Sequence, residues 1–361
     1  LAKELDFEKK EKIEEKLSLA CLATIADLVP LIGNNRAIVK KGLEKIAITK
    51  RPGLSALLKE AAIEKETVTP YTIGHIIAPR LNATGRIQSA MNALRLLCTT
   101  SSVKALELAS MLGAVNKDRQ DLTEESVAHA RLLAVSATYS DKIIVVSDES
   151  YNQGVIGLIA SGLVEQYYKP SFAISVGDTI SKGSARSIAG VNIIELLRSV
   201  GDVLEEAGGH PMAAGFSVKT EKIQDFIDAL SKKSEEVVSD DHLKRYITIE
   251  MILPFSSINF DLIDEVKKLE PFGMANQEPV FATKGISVIE LRKIGRDQNH
   301  LKLKLEKDKK VIDAIAFRFA DKIDLDVGDT IDAAHVIDEN KWNGKISLQL
   351  KIRDMKIVES N

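Results

Sequence analysis

The chain has 361 residues, of which 45% are hydrophobic, a formal net charge of −3 and two cysteines. That length suits two or three domains of roughly 100–200 residues each, and the apolar share excludes wholesale disorder. Two cysteines exclude a disulfide framework and a cysteine-rich zinc site, and the small net charge means that nucleic-acid contacts must come from local basic patches.

The opening FEKKEKIEEKL at 7–17 predicts a charged helix, and residues 7 to 100 read as helix-rich, with turn signals at LIGNNR, KRPG and PRLNATG. Cys21 and Cys98 lie in apolar helical stretches and are expected to be buried free thiols of a reducing, cytoplasmic setting. Residues 101–140 hold no proline and only Gly113, so they predict one long helix linking two domains. IIVVSD (143–148), NQGVIGLIASGLVEQYY (152–168) and PSFAISV (170–176) follow as strand, helix and strand. The apolar run in that helix, 154–164, is shorter than the about 20 residues of a membrane span. No signal-peptide pattern opens the sequence. KGSARS, a helix around NIIELLRSV, GGHPMAAGFSV and a helix from 221 to about 238 complete an α/β domain. From Tyr246 the pattern turns to strands (YITIEMIL, VFATKGISVIEL, HLKLKLE, KVIDAIAFRF, TIDAAHVID, KISLQLKI), which predicts a small barrel. The Asn343-Gly344 pair predicts a hairpin.

Four stretches carry candidate chemistry, each with a plainer alternative. SKGSARS (181–187) sets Ser184 and Arg186 just after a strand: a phosphate contact, or a glycine turn with a solvated arginine. GGHPMAAGF (208–216) offers a backbone that approaches a phosphate closely, with His210 as donor. Alternatively Gly208 and Gly209 form a tight turn and Ala213-Ala214 packs a helix. IAPRLNATGR (77–86) places Arg80 and Arg86 at a helix boundary, as phosphate contacts or as surface residues of a loop. TIADLVPL (24–31) sets Asp27 among apolar residues, as a turn cap or a metal ligand. Residues 292–310 add eight Lys/Arg against three Asp/Glu, a groove lining or a solvated hairpin. Phe319 reads as core, and Trp342 is open between base stacking and core.

Taken in order, these stretches, with NQGVIGLIASGLVE and LEPFGMANQEPVF (269–281), resemble the RecJ single-strand-specific exonucleases of the DHH phosphoesterase superfamily. The resemblance implies an α/β multidomain fold. It divides into the C-terminal part of a DHH phosphoesterase domain (1–100), a long connecting helix (101–140), an α/β DHH-associated domain (141–243) and a C-terminal OB-fold β-barrel (244–361). It implies metal-dependent 5′-to-3′ cleavage of single-stranded DNA in repair and recombination, with manganese or magnesium. A single-strand-binding protein and a helicase are the partners it suggests. Asp27 matches a metal-binding acid of that family; Arg80 and Arg86 match its arginine motif; Ser184, Arg186 and His210, with Gly208 and Gly209, match the motifs that contact phosphate near the 5′ end.

One departure stands out. No DHH triplet occurs, and none of the six histidines forms such a pair. One acid cannot satisfy a hard divalent cation. With a start at Leu1, this leads us to expect an N-terminally truncated RecJ, inactive alone, whose remaining ligands lie upstream. Two other classes stay open: a nano-RNase or cyclic-dinucleotide phosphodiesterase, and a non-catalytic single-strand-binding relative.

Overall fold

The computed structural model describes residues 7–87, 89–136, 140–342 and 344–358. In chain order the helical part comprises α1 (Phe7–Ala26), α2 (Gly33–Ala47), α3 (Pro52–Glu60), a short α4 (Pro70–Thr72), α5 (Ala78–Ile87), α6 (Met91–Cys98) and the 35-residue α7 (Ser102–Ser136). Next come β1 (Ile144–Asp148), α8 (Ile156–Tyr167), β2 (Ser171–Ser175), β3 (Ile180–Arg186), α9 (Ile193–Arg198), β4 (Glu206–His210), β5 (Ala213–Lys219) and α10 (Ile223–Val237). The last part holds β6 (Met251–Ile252), α11 (Phe260–Lys267), β7 (Phe281–Ile294), β8 (His300–Lys307), β9 (Lys310–Ala316), β10 (Thr330–Trp342) and β11 (Lys345–Ile357). No helix among the described residues is long and apolar enough to cross a membrane.

The chain folds as two compact units. One holds Lys50–Lys65 and His75–Tyr246; the other holds the segments up to Thr49, Glu66–Gly74 and from Ile247 onward. These units run across the expected four-part division. In the first unit α3, α5 and α6 pack on α7, which also packs on α8 and β1. The long helix, about 50 Å at 1.5 Å per residue, thus ties a helical layer to the sheet inside one unit.

That sheet has the order β1-β2-β3-β5-β4. β1 and β2 are parallel with α8 as the crossover; the other pairings are antiparallel. Side chains alternate between its two faces. Val145, Phe172, Ala185 and Phe216 face one core with α9 and α10, while Val146 and Ala173 face another with α8. Ser184 is register partner to Ala173 and Arg186 to Ser171, so both belong to the α8 face.

Two motif readings change here. KGSAR is not a turn after a strand; it is strand β3 itself. A Cβ on Gly183 would lie 2.1 Å from the Phe216 ring, so this glycine serves packing. Ala213 and Ala214 open strand β5, and Ala214 packs in the core shared with helices α9 and α10; GGH and AAGF are the arms of a hairpin turning at Pro211 and Met212. PRLNATGR, expected as a loop, lies inside α5. Pro79 lacks an N–H, and a π-helical turn at Ile73–Ile77 directly precedes α5, a register shift of the kind that accommodates a break in the helical ladder.

In the second unit, β7, β8, β9, β11 and β10 close into a five-stranded barrel, since β10 pairs back onto β7. β11 runs parallel to β9 and the remaining barrel pairings are antiparallel. The core includes Ile286, Val288, Leu303, Leu305, Ile331 and Leu350. Phe319 packs partly buried against that core, as expected. Only Met251 and Ile252 of the expected YITIEMIL strand pair, beginning opposite Phe281; Pro279, just ahead of β7, has no N–H to extend the ladder. The paired strands run to Trp342 and Lys345, bracketing the expected hairpin; Asn343 and the Trp342 side chain lie outside the described residues.

LEPFGMANQEPVF has a structural role in the same unit. Its backbone, with that of Lys268 just before it, holds the start of α2 and the residues leading into it: the Leu31 amide donates to the Met274 carbonyl at 2.7 Å, and Arg36 donates to the Lys268 and Glu270 carbonyls at 3.0 Å each. Cys21 is buried as expected, and burial pushes its thiol up to about 12. Cys98, at the end of α6, is exposed and so departs from the expectation. Its helix buries Ala93 and Leu96, and Cys98 sits past that stripe.

Candidate phosphate-binding site

Chemistry-bearing side chains converge where α8 begins. Gly154 and Val155 are turned by Asn152, whose side-chain oxygen accepts from the Gly154 amide at 2.8 Å. α8 then starts behind Val155, which provides no side-chain cap. The first amides of a helix lack internal partners and carry partial positive charge, which suits an anion. The α8 face of the sheet supplies Ser184 and Arg186. Arg186 Nη1 donates to Ser184 Oγ at 3.0 Å and to the Ala185 carbonyl at 2.9 Å. A Cβ on Gly157, in the first turn of α8, would lie 2.8 Å from Arg186 Nη2 and 3.2 Å from Ser184 Oγ. A bare residue at 157 therefore lets both polar groups reach the helix start.

Arg86, at the end of α5, reaches the same place. Its Nη1 donates to the Gly154 carbonyl at 3.2 Å, and a Cβ on Gly154 would meet the Arg86 carbonyl at 2.2 Å. Its charge acts on Arg186, whose guanidinium is pushed down by burial first and by Arg86 second. Arg119 on α7 responds in the same way, by burial first and then by Arg86. Sequence reasoning missed Arg119, which lies mid-helix without a motif around it. Its Nε is buried with no partner among the described residues. One turn back on the same helix, Asn116 is 2% exposed with its side-chain oxygen unpartnered. Buried orphans of this kind are rare and mark strain, function or a missing ligand.

The hairpin enters through strand register. Arg186, Ala213 and His210 are successive partners across β3, β5 and β4, and so are Ser184, Gly215 and Gly208. His210 thus shares a row with Arg186, about 10 Å away at two strand spacings, and is exposed. Gly208 has open space where a Cβ would stand. Gly209 does not: at φ +149° a Cβ would lie 2.4 Å from the Ala213 carbonyl.

Two predicted residues behave differently. Arg80 is half-buried and already engaged: Nε pairs with Glu60 at 2.7 Å and Nη1 donates to the Ile76 carbonyl at 2.9 Å. Asp27 belongs to the other unit. It is exposed, not buried among its apolar neighbours, because α1 ends at Ala26 and Leu28 turns the chain at φ +52°. Its side chain makes no hydrogen bond among the described residues, so it does not cap a turn there. A carboxylate at a helix C-terminus is electrostatically disfavoured.

The barrel presents a second basic surface. Arg292, Lys302, Ile315 and Lys351 form one row across β7, β8, β9 and β11. Arg292 and Lys304 share Glu290, and Lys351 pairs with Asp338. Lys302 makes no ion pair among the described residues. Beside it His300 meets Phe317 edge-on, with ring centroids 5.3 Å apart, and Phe317 is 50% exposed. Phe317, not Phe319, is the aromatic displayed here.

Residues 140–236 match the DHHA1 domain and residues 249–354 match the RecJ OB domain. The Bacillus subtilis single-stranded-DNA-specific exonuclease RecJ is 34% identical over 349 residues, covering 96% of this chain and 44% of that protein. Over nearly its whole length the chain is similar to RecJ. The Haemophilus influenzae RecJ is 31% identical over 96% of this chain and 62% of its own length. The crystal structure of Thermus thermophilus RecJ in complex with Mn2+ superposes with a TM-score of 0.83 at 32% identity, covering 96% of this chain and 50% of that one. The chain spans about half the length of these RecJ relatives. It contains the DHHA1 domain, which carries Arg186, and the OB barrel with the Lys302 row, while Arg86 and Arg119 precede the DHHA1 match.

Proposed function

We propose that this chain forms part of a single-strand-specific, 5′-to-3′ DNA exonuclease of the RecJ type, in which the site at the start of α8 grips the 5′-terminal phosphate. Support comes from one observation above the rest: Arg86 and Arg186 meet at a helix N-terminus, the charge of Arg86 also reaches Arg119, and none of the three makes an ion pair among the described residues. Surplus positive charge in a partly dry site calls for an anion. Ser184 and His210 add donors, and Gly208 leaves the hairpin backbone open to the strand. Arg80, neutralised by Glu60, is assigned a supporting contact to a following phosphate. The Lys302 row and Phe317 are assigned to the strand as it crosses the barrel, as charge and stacking surface.

In this reading residues 1–100 supply the end of the DHH phosphoesterase domain, 101–140 the connecting helix, 141–243 the DHH-associated domain and 244–361 the OB fold. The divalent ion that such hydrolysis uses, manganese or magnesium, would activate water and neutralise phosphate charge. Among the described residues no group of three or more His, Cys, Asp or Glu side chains is placed to hold it. Asp27 alone does not constitute a site, so we assign it as one ligand and derive no step through the metal. Two unpaired thiols favour a cytoplasmic setting, where a single-strand-binding protein and a helicase are the expected partners.

The test is degradation of a 3′-labelled single strand by the full protein with manganese. Shortening from the 5′ end, abolished by Asp27→Ala, is the expected result. Shortening from the 3′ end, or a rate indifferent to strandedness, overturns the reading.

A further inference from the structure

β1 is an edge strand with an open side. Among the described residues it pairs with β2 alone. The Ile144 amide donates to the Pro170 carbonyl at 2.9 Å, and the Asp148 carbonyl accepts from the Val176 amide at 3.1 Å, so the even-numbered residues bond inward. The amides and carbonyls of Val145 and Ser147 therefore point away from the sheet, and they make no hydrogen bond among the described residues. Edge strands are ordinarily protected by a charge, a proline, a bulge or a covering element. Residues 143–146 are all apolar and buried in the two cores of the sheet, and the register with β2 is regular. The opposite edge, β4, is protected: Gly208 and Gly209 interrupt it, Gly209 at φ +149°, and α9 packs on it. Along β1 there is instead a groove of about 730 Å³, lined by Val135, Asp141, Ile143, Val145, Tyr167 and Glu235 among others. Val135 stands 76% exposed at the end of α7, with Leu132 exposed one turn earlier.

We propose that this edge is a docking site for an extended segment of another protein, which pairs with β1 as a sixth strand and carries Lys or Arg beside alternating apolar residues. The unpaired amides and carbonyls select an extended backbone. Val135, Ile143 and Tyr167 select apolar side chains. The carboxylates of Asp141 and Glu235 outweigh the one cation of the lining, Lys169. That balance selects a basic segment and turns away a phosphate backbone. It also disfavours a second copy of this chain, because residues 143–148 hold no Lys or Arg and end in Asp148. A strand the length of β1, about 17 Å, sets the paired stretch at about five residues. No residue of the phosphate site takes part.

The experiment measures anisotropy of a labelled peptide of about nine residues, alternating Val and Thr between terminal Lys residues, with the full protein. Wild type is expected to bind it saturably and at least about tenfold more tightly than the same peptide with terminal Glu residues. N-methylation of alternate peptide amides, which removes the donors to β1, should abolish binding. Asp141→Lys, at an exposed position, should reverse the preference between the Lys-ended and Glu-ended peptides while thermal unfolding and single-strand binding stay as in wild type. Ser147→Pro removes one outward amide without touching a bond to β2 and should weaken both peptides alike; if it also lowers thermal stability, the reversal by Asp141→Lys decides. Absence of saturable binding by wild type, equal affinity for the two peptide ends, or indifference to N-methylation overturns the proposal. Concentration-dependent dimers in sedimentation that Ser147→Pro abolishes would assign the edge to a second copy and overturn it as well.

Discussion

Gly157 and Arg186 are matched: the guanidinium of Arg186 occupies the space that a side chain at 157 would need, with Nη2 2.8 Å from where its Cβ would stand. Gly→Ala inside a helix ordinarily stabilises by roughly 0.5–1 kcal/mol. Gly157→Ala is expected to leave the fold at least nearly as stable and to push Arg186 off the helix start. Binding of a 5′-phosphorylated strand should weaken about tenfold, the scale of one charge-assisted hydrogen bond. A variant that binds as wild type does would show that Arg186 need not sit there.

The glycines of the two sheet motifs separate structure from function. Gly183→Ala forces a methyl group into the Phe216 ring and should cost roughly 1–3 kcal/mol in urea unfolding, as overpacking does. Gly208→Ala meets nothing within 4 Å and should leave stability within about 0.5 kcal/mol of wild type. Its effect, read by strand binding, should fall on ligand approach. Equal destabilisation by the two would contradict this division.

Legibility in the sequence followed locality. The β1-α8-β2 unit and most barrel strands were visible, because alternation and apolar runs record which faces are buried. KGSAR was misread because glycine and small residues signal turns, yet here Gly183 makes room for the Phe216 ring within a strand. Of the site, Ser184, Arg186 and His210 were visible as motif residues, and Arg86 as one of a pair. Arg80 looked equivalent to Arg86 because nothing local reveals Glu60, twenty residues earlier. Arg119 was invisible: the residue whose charge reaches it, Arg86, lies on α5, which meets α7 only in the fold. Phe317 was passed over because its exposure depends on where β9 ends.

His335 sets a pH limit on the barrel. It is fully buried on β10, with Nε2 2.9 Å from Thr283 Oγ1 and Nδ1 unpartnered among the described residues. Burial lowers its pKa from the ordinary 6.5 to about 4. The unfolded chain therefore takes up a proton that the folded barrel refuses. Its contribution to stability is complete above pH 6.5, declines as pH falls, and is lost below about 4. The loss is on the order of 3 kcal/mol. Denaturant unfolding of wild type and His335→Gln between pH 7 and pH 4 checks it; parallel profiles would rule out His335 as the cause.

The barrel's charge should be read by salt. If Lys302 meets a backbone phosphate, Lys302→Ala lowers affinity for single strands of any sequence and reduces the slope of log affinity against log salt by about 0.7. Phe317→Ala should instead cost about 1–3 kcal/mol of binding without changing that slope. A slope unchanged in Lys302→Ala would leave the row as a solvated face.

The most direct measurement is the affinity of the full protein, without metal, for 5′-phosphorylated and 5′-hydroxyl single strands of one sequence, with wild type beside Arg186→Ala. The account predicts that wild type prefers the phosphorylated end by at least about tenfold, and that Arg186→Ala erases most of that preference without loss of thermal stability. Equal affinity of wild type for the two ends, or a preference that survives Arg186→Ala intact, would contradict it.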